Sequence, residues 1–129
     1  MSRADQIRAA VVAYVDSFNR RDRDSFLGLF ADGVVQIDPV GSPPNVGRDA
    51  LAAFWDNLYA QTEAVDFRIV DLFVTGDEAA LLFHITQLTE GGATEVDGID
   101  VFRVDEAGRI SMVHGYSDAD HVKQRGGGR

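Results

Sequence analysis

Gln36-Ile37-Asp38-Pro39-Val40-Gly41-Ser42-Pro43-Pro44 stops a short apolar strand with an acid. Val34, Val35 and Ile37 lead in with β-branched residues. Pro39 cannot donate to a continuing ladder, and Gly41, Pro43 and Pro44 hold the next residues in turns. The pattern predicts a carboxylate at the rim of a sheet, on a stiff loop. On this stretch alone, a plain turn-forming aspartate before proline is the simpler reading of Asp38. Tyr14 and Asp100 change that balance.

Upstream, Ile7, Val11, Tyr14, Val15 and Phe18 recur at helical spacing between Asp5 and Asn19, with Arg8, Asp16 and Asn19 elsewhere on the wheel. Tyr14 falls within the apolar stripe, so its hydroxyl must reach the surface or find a partner inside. A core tyrosine bonded to backbone satisfies that equally well. Asp22 or Asp24 caps a short second helix running to about Phe30. Downstream of the proline-rich loop, Gly47 and Arg48 lead into a third helix, Asp49 to Tyr59, with Leu51, Phe54, Trp55 and Leu58 on its apolar face. Four runs rich in β-branched and aromatic residues come next: Val65 to Thr75, Ala79 to Leu88, Thr94 to Asp105 and Arg109 to Ser117. Gly76-Asp77, Gly91-Gly92 and Glu106-Ala107-Gly108 separate them as hairpin turns. Helices succeeded by a meander give an α+β domain, with a curved antiparallel sheet wrapped around the helices.

At 129 residues and 45% hydrophobic content, the chain is long enough for one well-buried core and too short for two. That domain is expected over residues 1–124, with the Gly/Arg run 125–129 as a disordered tail. A formal charge of -9 repels phosphate backbones and anionic membranes, which argues against a nucleic-acid or membrane partner. The chain has no cysteine, hence no disulfide, thiolate nucleophile or thiolate metal site. Without a basic-then-apolar leader pattern or a long apolar run, a soluble cytoplasmic protein is expected.

In the third β run, period two puts Val96, Gly98, Asp100, Phe102 and Val104 on one face. Asp100 is the single charge there. A carboxylate among those side chains loses hydration without a basic partner, so its pKa rises and the neutral, hydrogen-bond-donating acid is favoured. The competing reading is a bulge or open edge at which Asp100 stays solvated. Phe83, Ile85 and Gln87 come after Leu81 on one face of the second run, and Met112, His114 and Tyr116 alternate in the last. If those faces look the same way as Asp100, they wall an apolar cavity suited to a flat ligand bearing a carbonyl. The histidines are His84, His114 and His121, and no pair has metal-motif spacing, so no metal is expected. His114 also fits a hydrogen-bonded core residue.

Tyr14 in Ala-Tyr-Val, Asp38 in Ile-Asp-Pro-Val-Gly-Ser-Pro-Pro and Asp100 in Ile-Asp-Val-Phe-Arg-Val together resemble the bacterial ketosteroid isomerases, of the nuclear-transport-factor-2-like or SnoaL-like superfamily. The similarity runs from the first helix to about Tyr116 and takes in Gly47-Arg48 and Ala52-Ala53-Phe54. It implies a conical fold and a cofactor-independent steroid delta-isomerase. Asp38 would be the general base, and Tyr14 with a protonated Asp100 would be the oxyanion donors, the arrangement by which this family is known. It also implies a hydrophobic ketone as substrate, lined by Trp55, Phe83, Ile85, Gln87, Phe102, Met112, His114 and Tyr116, and a homodimer. Three features depart from the family pattern. Trp55 stands where a supporting tyrosine is common, and Gln87 and His114 add polarity to an apolar wall. Other activities of the superfamily, polyketide cyclisation and epoxide hydrolysis, share this kind of pocket. A non-catalytic binder would need no ionised Asp38.

Overall fold

The computed structural model describes residues 1–126. Ser2 opens the first helix, α1 (Arg3–Asn19). Its hydroxyl accepts from the Asp5 N–H at 3.1 Å while the Asp5 carboxylate accepts from the Ser2 N–H, a reciprocal cap. The apolar stripe of α1 is buried, Tyr14 included. Asp22 caps α2 (Arg23–Gly28) through the Ser25 N–H, and Phe30, expected to end that helix, instead begins β1 (Phe30–Ile37). After β2 (Asn45–Val46), Gly47 at φ +87° turns the chain into α3 (Arg48–Gln61), a backbone conformation that favours glycine. The Arg48 guanidinium donates to the Phe30 carbonyl at 2.7 and 3.0 Å and pairs with Asp32 at 2.6 Å, tying the first turn of α3 to β1.

The remaining strands are β3 (Ala64–Thr75), β4 (Glu78–Thr89), β5 (Gly92–Val104), β6 (Ile110–Tyr116) and β7 (Val122–Arg125). They form a curved, open sheet in the order β2-β1-β6-β5-β4-β3. Every pairing is antiparallel except β1 with β6, which is parallel, so the sheet is mixed rather than wholly antiparallel. The parallel pair is allowed by chain order, because α3 and the other long strands intervene between β1 and β6. β7 was not expected. It pairs with residues Ala93 to Val96 of β5, on the edge that β6 occupies further along, and Arg125 is its last residue. Of the expected tail, residues 127–129 lie outside those described.

Helices pack on one face of the sheet through an aromatic layer. Phe26, fully buried, meets Phe30 at 4.9 Å, Trp55 at 4.7 Å and Phe18 at 5.2 Å between ring centres. Edge-on and tilted rings at these separations add to the stabilisation from burial. Phe26→Ala is expected to cost about 3–5 kcal/mol, read as a lower urea midpoint at an unchanged slope. No helix among the described residues is long and apolar enough to cross a membrane.

Candidate active site

Tyr14 reaches the site from α1. Its ring is 2% exposed, set edge-on to Phe102 of β5 at 4.9 Å and to Phe18 at 5.1 Å. Alternation along β1 points Val34 and Gln36 inward, and Asp38 continues that row just past the strand end. Pro39 is joined through a cis peptide bond, and the Val40 N–H then donates to the Gly115 carbonyl at 2.8 Å, anchoring the loop beside β6. Asp100 sits well inside β5, between Leu81 of β4 and Gly115 of β6, and is 4% exposed. It occupies regular ladder positions on both sides, so the solvated-bulge reading fails.

The two acids converge over Gly115. A Cβ built there would overlap Asp38 Oδ1 and lie 3.1 Å from Asp100 Oδ1. Their environments differ. Burial pushes the Asp100 carboxyl well above the usual carboxylate range, and the charge on Asp38 pushes it further. Asp38 keeps contact with solvent at the rim, yet its carboxyl is crowded enough by protein that desolvation raises its pKa as well. Burial, then the charges of Asp100 and Asp38, raises Tyr14 well above an ordinary phenol, so it remains a hydrogen-bond donor. The acid at the rim thus faces an enclosed acid and a phenol, both of which burial favours in the protonated form.

Phe83 and Ile85 share this inner face, paired with Gly98 and Val96 of β5, and Phe102 closes it against Tyr14. Met112, His114 and Tyr116 do not share it. Asp100 pairs with Gly115 and Phe102 with Val113, so Val113 and Gly115 point inward and the expected trio points to the outer face, alongside Ile99, Val101 and Arg103. The cause is one extra residue. Val104 pairs with Ile110 but Arg103 pairs with Met112, leaving Ser111 as a bulge that reverses the facing of everything beyond it. Gln87 lies apart from the acids, in a crevice with Asn45, Phe54, Leu58 and Thr62. Trp55 stacks on Phe18, Phe26 and Tyr59, one aromatic layer behind Tyr14.

Sequence reasoning missed Tyr59, whose hydroxyl donates to the Phe18 carbonyl at 2.7 Å and so braces α1 four residues beyond Tyr14. Its position one turn after Trp55 was the available signal. A cavity of about 450 Å³ lies beside the Asp38 loop, walled by Pro39, Val40, Phe83, Gly98, Ile99 and Tyr116 together with Asp97, Asp118 and His121, and Tyr14, Asp38 and Asp100 do not line it. Tyr116 therefore reaches it at the mouth despite facing outward. Among the described residues no three His, Asp or Glu side chains are grouped to hold a metal ion.

Three solved structures share this architecture. Mycobacterium tuberculosis RV0760c is 25% identical over 97% of this chain and 99% of its own, with a TM-score of 0.87. The same protein in complex with estradiol-17β-hemisuccinate is 28% identical over 95% and 99%, with a TM-score of 0.84. The Δ5-3-ketosteroid isomerase from Mycobacterium sp. is 26% identical over 93% and 98%, also at 0.84. The SnoaL-like domain profile matches residues 11–113, from the helix that carries Tyr14 to the strand that lies beside Asp38 and Asp100. With three helices laid on a curved, open, mixed sheet and that match spanning most of its length, this chain belongs to the SnoaL-like family.

Proposed function

We propose that this protein is a cofactor-independent isomerase that moves a carbon–carbon double bond from the β,γ to the α,β position of a 3-oxo steroid. The observation that carries the reading is the meeting of Asp38, Asp100 and Tyr14 on one inner face, with the solvent-touching acid opposed to the enclosed one. The Asp38 carboxylate takes the proton from the carbon between the ketone and the double bond, and the electron pair moves onto the ketone oxygen as a dienolate. Tyr14 and neutral Asp100 donate hydrogen bonds to that oxygen as its charge grows. Asp38 then returns the proton two carbons along, so no atom or electron is gained or lost. Apolar walls from Phe83, Ile85 and Phe102 suit a fused-ring body, and the likeness to a steroid-bound structure and to a ketosteroid isomerase supports that substrate class. Arg103 is bound to Glu78 at 2.6 Å on the outer face, so it offers no cation to an epoxide held at the acids.

The test is conversion of a β,γ-unsaturated 3-oxo steroid by the purified protein, monitored as conjugated-enone absorbance. Growth of that absorbance supports the reading. Tight binding of a phenolic steroid without conversion would make the protein a binder instead.

The same reading includes a homodimer through the outer face, where Val70, Phe73, Ile99 and Tyr116 expose large apolar area. Sedimentation should give twice the monomer mass for the wild type and a monomer for Phe73→Asp. A monomeric wild type would refute it.

A further inference from the structure

Gly115 has no conformational reason to be glycine. It lies within β6, in ladder with Asp100, and its φ is outside the left-handed region that Gly108 at +87° and Gly47 at +87° occupy. An L side chain would suit its backbone. What a Cβ meets is neither main chain nor core: the nearest atoms are Asp38 Oδ1, then Asp38 Cγ at 2.7 Å, then Asp100 Oδ1 at 3.1 Å. Gly98, two residues before Asp100, differs, because there a Cβ would overlap the Phe83 ring at 2.6 Å and the Tyr116 carbonyl oxygen at 2.7 Å, a clash with core ring and main chain rather than with the acids. At Gly115 the three nearest atoms all belong to the two acids.

We propose that Gly115 is a positioning residue, its bare Cα letting the Asp38 and Asp100 carboxyls reach one shared space in which the charge on Asp38 keeps the proton on Asp100. This rests on the isomerase reading for its role in catalysis. The groups that face the pair are Tyr14 from α1, Leu81 from β4 and Val113 beside Gly115 on β6. Among the described residues no arginine, lysine or histidine contributes to the field at Tyr14, Asp38 or Asp100. With no cation to divide the load, two charges cannot stand together, and the enclosed acid keeps the proton while the rim acid ionises. The pocket then holds one negative charge throughout turnover. It begins on Asp38, passes to the dienolate as Asp38 takes the proton, and returns, while Asp100 stays a donor.

Carboxyl-carbon NMR titration of ligand-free protein tests the pairing. Gly115→Ala is expected to drive the Asp38 carboxyl outward and lower the Asp100 midpoint by about one unit or more. Turnover should fall about 100-fold through misplacement of the base. In the Asp38→Asn background the same alanine should leave the Asp100 midpoint where it is, because no charge remains to be moved. An equal shift in both backgrounds, or none in either, would overturn the proposal. Should Gly115→Ala not fold, Asp38→Asn still tests the pairing on which the proposal depends, and an Asp100 midpoint that does not fall in it would overturn the proposal. A coupled titration in a protein that converts no steroid would overturn the isomerase reading and leave the pairing intact.

Discussion

Asp38→Asn is expected to lower kcat by about 10²- to 10⁴-fold, the usual contribution of a positioned general base. The variant is nearly isosteric and sits on a loop fixed by Pro39 and by the Val40 to Gly115 hydrogen bond, so the fold and the apolar walls persist. Phenolic steroid binding should therefore survive while turnover collapses. That split separates a base from a mere wall residue. The wild-type rate should also show an acid limb, falling as pH drops through the Asp38 midpoint, and burial places that midpoint above the ordinary carboxylate range near pH 3.9. Asparagine has no proton to titrate, and the limb should vanish with it. Retained turnover in the variant, or an unchanged acid limb, would remove Asp38 from the mechanism.

Asp100→Ala is expected to lower kcat by about 10²- to 10³-fold, the scale of losing one oxyanion donor in a water-poor site. Asp100→Asn should lose less, since an amide N–H still donates from nearly the same place. Equal losses in the two variants would mean that Asp100 contributes something other than a hydrogen bond. Stability should respond with the opposite sign. The folded state raises the Asp100 pKa, so it holds the proton more tightly than the unfolded chain. That contribution is complete below the unfolded carboxylate value and is lost as pH rises through the folded one. Asp38 adds to the slope in the same direction. Chemical denaturation across pH should thus show wild-type stability falling more steeply than that of Asp100→Asn over this window. Parallel curves would show that burial of Asp100 carries no such penalty. The expected conflict is a local cost in stability, retained where the donor is needed.

Tyr14 must present a phenol to the acids while its ring lies within the core, and Phe18 and Phe102 hold that ring edge-on. Trp55 and Tyr59 support the layer from α3, with the Tyr59 hydroxyl spent on the Phe18 carbonyl rather than on Tyr14. Under the proposed mechanism the oxyanion donors are then two, Tyr14 and Asp100.

Much of the site was legible in the chain itself, because it depends on sequence neighbours. Helical spacing placed Tyr14 in a buried stripe, proline ended β1 at Asp38, and period two set Asp100 against Phe102 on an apolar face. Alternation within one strand is a local property, and it held. What joins one strand's face to the next is register, and a single bulged residue reverses it. An uninterrupted hairpin starting from Val104 opposite Ile110 would have put His114 beside Asp100. Ser111 adds one residue, and Gly115 takes that place while Met112, His114 and Tyr116 turn outward. The meeting of Asp38 with Asp100 lies still further from local pattern. It depends on β1 lying parallel to β6, Ile37 beside His114, with most of the chain between them. No turn or spacing near either acid encodes that pairing. It arises only when helices and sheet bury their apolar faces together, which is why the tertiary structure alone decided that two carboxyls share the space above a glycine.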